Sequence, residues 1–146
     1  MSPDQRIYAF TLRSDVQWTD GVPVTAEHVR YGIIRTLAPE TESVCAYTLY
    51  VIENGQECNQ EIVTHESLVG ITAVSTTTLR ITVTHPASWA LSILSMWVAS
   101  PIPQAAIEAH GVPTWTEPAN IVTSGPYHLE EWAHDEHIML TRNPTY

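Results

Sequence analysis

The chain contains no lysine: its six basic residues are all arginines, set against 16 acidic ones, for a net charge of −10. That balance excludes a basic face able to displace phosphate counterions, and so argues against nucleic acid as a partner. It argues equally against an anionic membrane surface. Without lysine there is no Schiff-base chemistry and no phosphate-cradling loop with its usual lysine. No apolar run approaches the roughly 18–20 residues that a membrane-spanning helix needs. The opening Met1-Ser2-Pro3-Asp4-Gln5 lacks the basic-then-apolar order of a secretory leader. No Gly-x-Ser-x-Gly elbow occurs, and Ser124-Gly125 enters a strand instead. There are only two cysteines, Cys45 and Cys58, and their spacing to the histidines matches no nucleophilic signature. Catalysis therefore has no constellation to rest on, and no cofactor is implied.

What is present describes a folded chain about one domain long. A 44% hydrophobic share against 15% charged residues is ample for a core of ordinary size. Apolar alternation predicts a strand over 7–12, continued briefly by Val16-Gln17-Trp18 before an Asp20-Gly21 turn. Thr25 is placed to cap a helix running from Ala26 to Leu37, with Val29, Ile33, Ile34 and Leu37 at helical spacing. Pro39 stops it. Val44 to Ile52 fits a helix ended by Asn54-Gly55, the favoured reading, while its β-branched and aromatic content also tolerates a strand; Gln56 to His65 reads as a loop. Ile71 and Ala73 then pair with Leu79, Ile81 and Val83 in a hairpin. A short buried helix is expected over 87–96, with Ala90, Ile93, Leu94 and Trp97 on one face. Another spans Gln104 to His110 and is closed by Gly111. Tyr127 to Trp132 pairs with His137 to Arg142 in a last hairpin. Strands and helices mix without regular alternation, so the fold class is α+β, with a mixed, antiparallel-rich sheet and several short helices.

Two stretches carry a family resemblance. Phe10 to His28, FTLRSDVQWTDGVPVTAEH, closely resembles the F-T-L-R…W-x-D-G-x-P-V-T-A-E-D signature of peptide-type solute-binding proteins that serve ABC importers. Thr123-Ser124-Gly125-Pro126-Tyr127, Leu129-Glu130-Glu131-Trp132 and Leu140 to Tyr146 are similar to that family's G-T-G-P-Y-x-L-x-x-W…L-x-R-N-P-x-Y. The resemblance implies one lobe of a bilobal, periplasmic-binding-protein type II-like fold. On it, 1–119 is the smaller lobe, and 120–146 is a hinge with the first hairpin toward an absent larger lobe. It also implies an extracytoplasmic protein, periplasmic or lipid-anchored, without its leader here. Its partners would be a peptide ligand and the ABC permease subunits; a nickel complex, heme or oligosaccharide are alternative ligands. A protein-docking or sensory module is the rival use of such a lobe. A truncated lobe is further expected to expose apolar surface and to self-associate.

Individual residues take expected roles on that frame. In an exported protein Cys45 and Cys58 are expected to form a disulfide, closing a loop of about 14 residues and contributing roughly 3 kcal/mol. Trp97, just before the Val98 to Pro101 crossover, is a candidate to line a pocket and stack on a ligand, with a core anchor as the plainer reading. Ser100 could add a polar contact. Trp18 and Trp132 fall inside the signatures and read as structural, Trp89 as core. Arg13 reads as a scaffold ion pair rather than a ligand clamp. His134-Asp135-Glu136-His137, with His128 nearby, reads as a solvated turn and not a metal site. His28 stands where the family usually has Asp, which implies a lost reciprocal cap.

Overall fold

The structure is a computed structural model that describes residues 1–146. The chain forms two compact units, one of Met1–Leu12 with Thr25–Ile102, the other of Arg13–Val24 with Pro103–Tyr146. The Arg13–Val24 excursion thus belongs with the residues after Ile102.

In the first unit, β1 (Ile7–Thr11), β2 (Ile71–Ala73) and β3 (Thr78–Thr82) form an antiparallel sheet of order β1-β3-β2. Register pairs Tyr8 and Ile71 with Ile81, and Phe10 and Ala73 with Leu79. Because side chains alternate across a strand, Leu79, Ile81 and Val83 turn inward while Arg80 faces out. Helix α1 (Ala26–Leu37) lays Ala26, Ile33, Ile34 and Leu37 against that face. Ile33, Leu37, Leu49, Ile52, Ile81 and Val83 are fully enclosed, each burial stabilising by about 1.5–3 kcal/mol. Arg6 ties the rim, donating from Nη2 to Glu53 Oε1 at 2.8 Å and from Nε to the Val83 carbonyl at 3.1 Å.

Thr25 caps α1 as expected, and His28 corrects an expectation. The Thr25 N–H donates to His28 Nδ1 at 3.1 Å, while the His28 N–H donates to Thr25 Oγ1 at 3.4 Å. The neutral ring nitrogen supplies the acceptor that a carboxylate normally provides, so the reciprocal cap is kept.

Between α1 and β2 the chain departs from the sequence reading. Ala46–Val51 is a 3-10 helix, not an α-helix. Asn54-Gly55 starts a helix instead of ending one: Asn54 takes the left-handed conformation (φ 58°), and α2 spans Gly55–Asn59. Gly55 is required there by close approach, since a Cβ would lie 2.8 Å from the Leu49 carbonyl. Cys45 and Cys58 are both free thiols, so the expected bridge is not formed in the structure. Cys58 packs into the core while Cys45 sits half-buried at its edge. After β3, α3 covers only Ala90–Leu94, shorter than expected, and Trp89 is 48% exposed instead of core.

In the second unit Val16 to Trp18 forms no strand, only a single bridge between Gln17 and Pro23. Asp20 Oδ1 accepts from the Val22 N–H, and Gly21 (φ +84°) closes the turn onto the Trp18 carbonyl. Trp18 is buried. Helix α4 (Gln104–His110) ends at Gly111, whose φ of +71° suits a residue without Cβ. Strands β4 (Tyr127–Ala133) and β5 (His137–Arg142) form an antiparallel hairpin with an irregularity between Leu129 and Glu131. Asn143, 4% exposed, locks its base: its N–H donates to the Pro126 carbonyl and its Nδ2 to the Gly125 carbonyl. The two halves of the second motif are thus hydrogen-bonded to each other. No helix is long and apolar enough to cross a membrane.

Candidate functional site

Trp97 begins a 3-10 turn, Trp97–Ala99, entered from Met96 in extended conformation. Because α3 stops at Leu94, Trp97 leaves the helical face that its spacing suggested. Its side chain is 68% exposed, which removes the core-anchor reading. Val98 and Ala99 directly after it are buried, and Ser100 is exposed. The turn is closed by the Ser100 N–H on the Trp97 carbonyl (3.1 Å) and the Ala99 N–H on the Met96 carbonyl (3.0 Å). A large aromatic is therefore held in water by a backbone anchored on both sides, an arrangement suited to stacking on a ligand. From Pro86 to Ile107 the sequence carries no charged residue, and Trp89, Leu91 and Met96 are exposed beside Trp97 in that segment.

Helix α1 touches this segment at three places one turn apart. The Ile102 N–H donates to the His28 carbonyl at 3.1 Å. The Ser100 carbonyl lies against Gly32 so closely that a Cβ there would collide with it, and would come within 3.0 Å of Ile102 Cγ1. Thr36 Oγ1 is 2.9 Å from the Gly32 carbonyl and 3.2 Å from that of Val98. Sequence reasoning missed Gly32 and Thr36; the available signal was a lone glycine inside a helical pattern.

Two cavities adjoin these elements. One of about 170 Å³ is lined only by apolar residues, among them Phe10, Leu12, Val29, Leu94 and Ala99. A larger one, about 430 Å³, is bordered by Glu40, Glu61, Glu66 and Cys58. Burial first, then the carboxylates of Glu66 and Glu40, push the Cys58 thiol up. Glu66 is also reached by Arg30, whose Nε donates to Glu27 at 2.8 Å.

In the second unit Arg13 grips Asp15 through two bonds, Nε to Oδ1 at 3.0 Å and Nη2 to Oδ2 at 2.9 Å. This is an ion pair on exposed side chains, and the Arg13 hydrogen bonds hold the Asp15 carboxyl below its ordinary value. The histidines of the hairpin turn lie near carboxylates: His134 is 3.4 Å from Glu117, and His137 is 3.5 Å from Glu131 and 3.8 Å from Glu136. The His134 ring also packs on Trp132, centroids 4.2 Å apart. No group of three or more His, Cys, Asp or Glu side chains is arranged to hold a metal ion.

Comparison with known proteins matches the whole chain. The family model for bacterial extracellular solute-binding proteins, family 5 Middle, covers residues 1–146. The periplasmic oligopeptide-binding protein OppA of Escherichia coli K12 is 37% identical over 146 residues, 98% of this chain and 26% of the relative. The periplasmic murein peptide-binding protein MppA of the same organism is 34% identical over 147 residues, 99% of this chain and 27% of its own length. Among solved structures, OppA of Burkholderia pseudomallei superposes with a TM-score of 0.94 at 27% identity, over 100% of this chain and 28% of that one. Listeria monocytogenes OppA bound to peptide gives the same TM-score at 26% identity, over 100% and 29%. The chain thus spans about a quarter of the length of the relatives it matches.

Proposed function

The chain belongs to the family 5 bacterial extracellular solute-binding proteins, and from that premise we propose that it forms part of a receptor for oligopeptides or dipeptides. The receptor would lie outside the cytoplasm, in the periplasm or lipid-anchored at the cell surface, and deliver its ligand to ABC permease subunits. The observation that carries the reading is the match over all 146 residues to the family and to OppA structures. We assign the first unit to the smaller lobe, and the second to the hinge region and the start of the larger one. Capture would come from lobe closure around a ligand, driven by buried ligand surface and satisfied polar groups. This lobe contributes half of such a pocket, with Trp97 as its stacking face and Ser100 as a polar contact. Its uncharged Pro86 to Ile102 stretch suits contact with peptide backbone and apolar side chains rather than with a fixed charge.

The test is native mass spectrometry of the full-length parent, purified without refolding. A ladder of peptide masses is the expected result, and Trp97→Ala should shorten it. A retained metal complex, heme or sugar would keep the transport role but overturn the peptide assignment. An empty protein that also ignores a peptide library would overturn the receptor reading and favour a protein-docking module.

A further inference from the structure

We propose that Gly32 and Thr36 are positioning residues of the binding surface, fixing where α1 seats the Trp97 to Ile102 segment and hence where Trp97 and Ser100 stand. This rests on the reading of Trp97 as a ligand contact.

The observations form one stripe. Positions 28, 32 and 36 recur every four residues and so lie on one face of α1, one turn apart. Each meets the same passing segment: the His28 carbonyl holds the Ile102 N–H, Gly32 accommodates the Ser100 carbonyl, and Thr36 reaches the Val98 carbonyl. The first contact is made by backbone and tolerates any side chain. The other two depend on residue type. Glycine inside a helix is disfavoured relative to alanine, so its presence calls for a packing reason, and the Ser100 carbonyl supplies one. Thr36 has one hydroxyl hydrogen and two carbonyls within reach, at 2.9 and 3.2 Å. One of these is its own helix and the other is the segment. A threonine hydroxyl bonded only to its own helix stabilises nothing further along the chain; placed against Val98 it also tethers the residue next to Trp97. Buried Val98 and Ala99 turn that tether into a fixed outward aim for the exposed indole.

The experiment compares Thr36→Val, which keeps the shape and removes the hydroxyl, with Thr36→Ser, which keeps the hydroxyl. Hydrogen exchange is read over residues 97–102 and, as an internal standard, over β3. Thr36→Val is expected to speed exchange of the Ser100 and Ile102 amides by about three- to tenfold more than those of β3, with Thr36→Ser near the unaltered chain. Equal acceleration in both regions, or none, overturns the positioning role. A second arm measures affinity of the full-length parent for the tetrapeptide Ala-Leu-Phe-Ala. Thr36→Val should weaken binding with Trp97 intact, and should weaken it clearly less in a Trp97→Ala background, where only the part acting through Ser100 remains. Fully additive losses overturn the inference while leaving Trp97 as a contact. No effect of Trp97→Ala overturns the Trp97 reading itself, and no binding by the unaltered parent overturns the peptide assignment, with the exchange arm still deciding the role of Thr36.

Discussion

Replacing Gly32 by alanine sets two effects of opposite sign against each other. By intrinsic propensity alone, alanine in a helix interior should stabilise by about 1 kcal/mol relative to glycine. The added methyl, however, lands on the Ser100 carbonyl oxygen and within 3.0 Å of Ile102 Cγ1. Overpacking of this kind costs roughly 1–3 kcal/mol, and the upper part of that range applies when the neighbour is backbone rather than the end of a flexible side chain. Here the obstructing carbonyl sits between Ala99, which is buried, and Pro101, whose ring fixes φ, so the segment has little freedom to yield. The net expectation is a loss of about 1–2 kcal/mol, or a fall in melting temperature of roughly 2–8 °C for a chain of this size. Urea unfolding followed by far-UV circular dichroism measures it. Gly111→Ala is the control: it meets no atom within 4 Å, so its cost is purely conformational, about 1–3 kcal/mol for a φ of 71° with ψ of 172°, a combination that essentially only glycine adopts. A Gly32→Ala variant as stable as the parent, or more so, would refute the reasoning, because propensity would then have outweighed the contact.

The other predictions test separate parts of the chain. Thr25→Ala should cost about 0.5–2 kcal/mol through loss of the α1 cap, whereas His28→Asp should hold or raise stability by a few tenths, since a carboxylate accepts the same N–H at a positive helix end. At pH 8 iodoacetamide should label Cys45 first and reach Cys58 only after unfolding, because Cys58 is buried and its thiol is pushed up. A thiol raised in the folded state adds stability that is present below its ordinary value of 9.0 and is lost as pH rises through the folded value. Stability should therefore decline in alkali, and Cys58→Ala should flatten that decline. The 146-residue chain alone should self-associate, since Ile138, Met139 and Leu140 on β5 are all exposed. Ile138→Lys with Leu140→Lys should reduce the mass seen by light scattering; a strict monomer before substitution would remove the idea.

Elements announced by local chemistry were legible in the sequence. The α1 bounds followed from Thr25 at one end and Pro39 at the other, and those of α4 from Gly111. The β2–β3 hairpin followed from alternation, because a two-residue period leaves little choice of face. The failures lie where packing rather than residue pattern decides. Asn54-Gly55 suits a helix end as well as a start, and what requires glycine there is the Leu49 carbonyl, 2.8 Å from where its Cβ would be. Trp97 shared helical spacing with Ala90, Ile93 and Leu94, yet the chain leaves the helix after Leu94 and the indole turns outward. The same limit hid the Gly32 and Thr36 contacts, whose partners lie 62 or more residues away.

The two signature motifs divide by physical role, and this bears on where specificity can reside. In the second motif, Asn143 bonds to Gly125 and Pro126, so the Gly-Pro-Tyr and Arg-Asn-Pro stretches are two sides of one hairpin base. In the first, Asp20, Gly21 and Thr25 are a turn and a cap, and Arg13 is spent on Asp15. These residues build scaffold and leave little free to contact a ligand. The surface with spare capacity lies between the motifs, in the uncharged run from Pro86 to Ile102, where Trp97 is exposed and its neighbours are anchored. A scaffold built by the two motifs and a face seated on it can change independently. Ligand preference among relatives should then track substitutions at Trp97, Ser100 and their seat on α1 rather than changes in either signature.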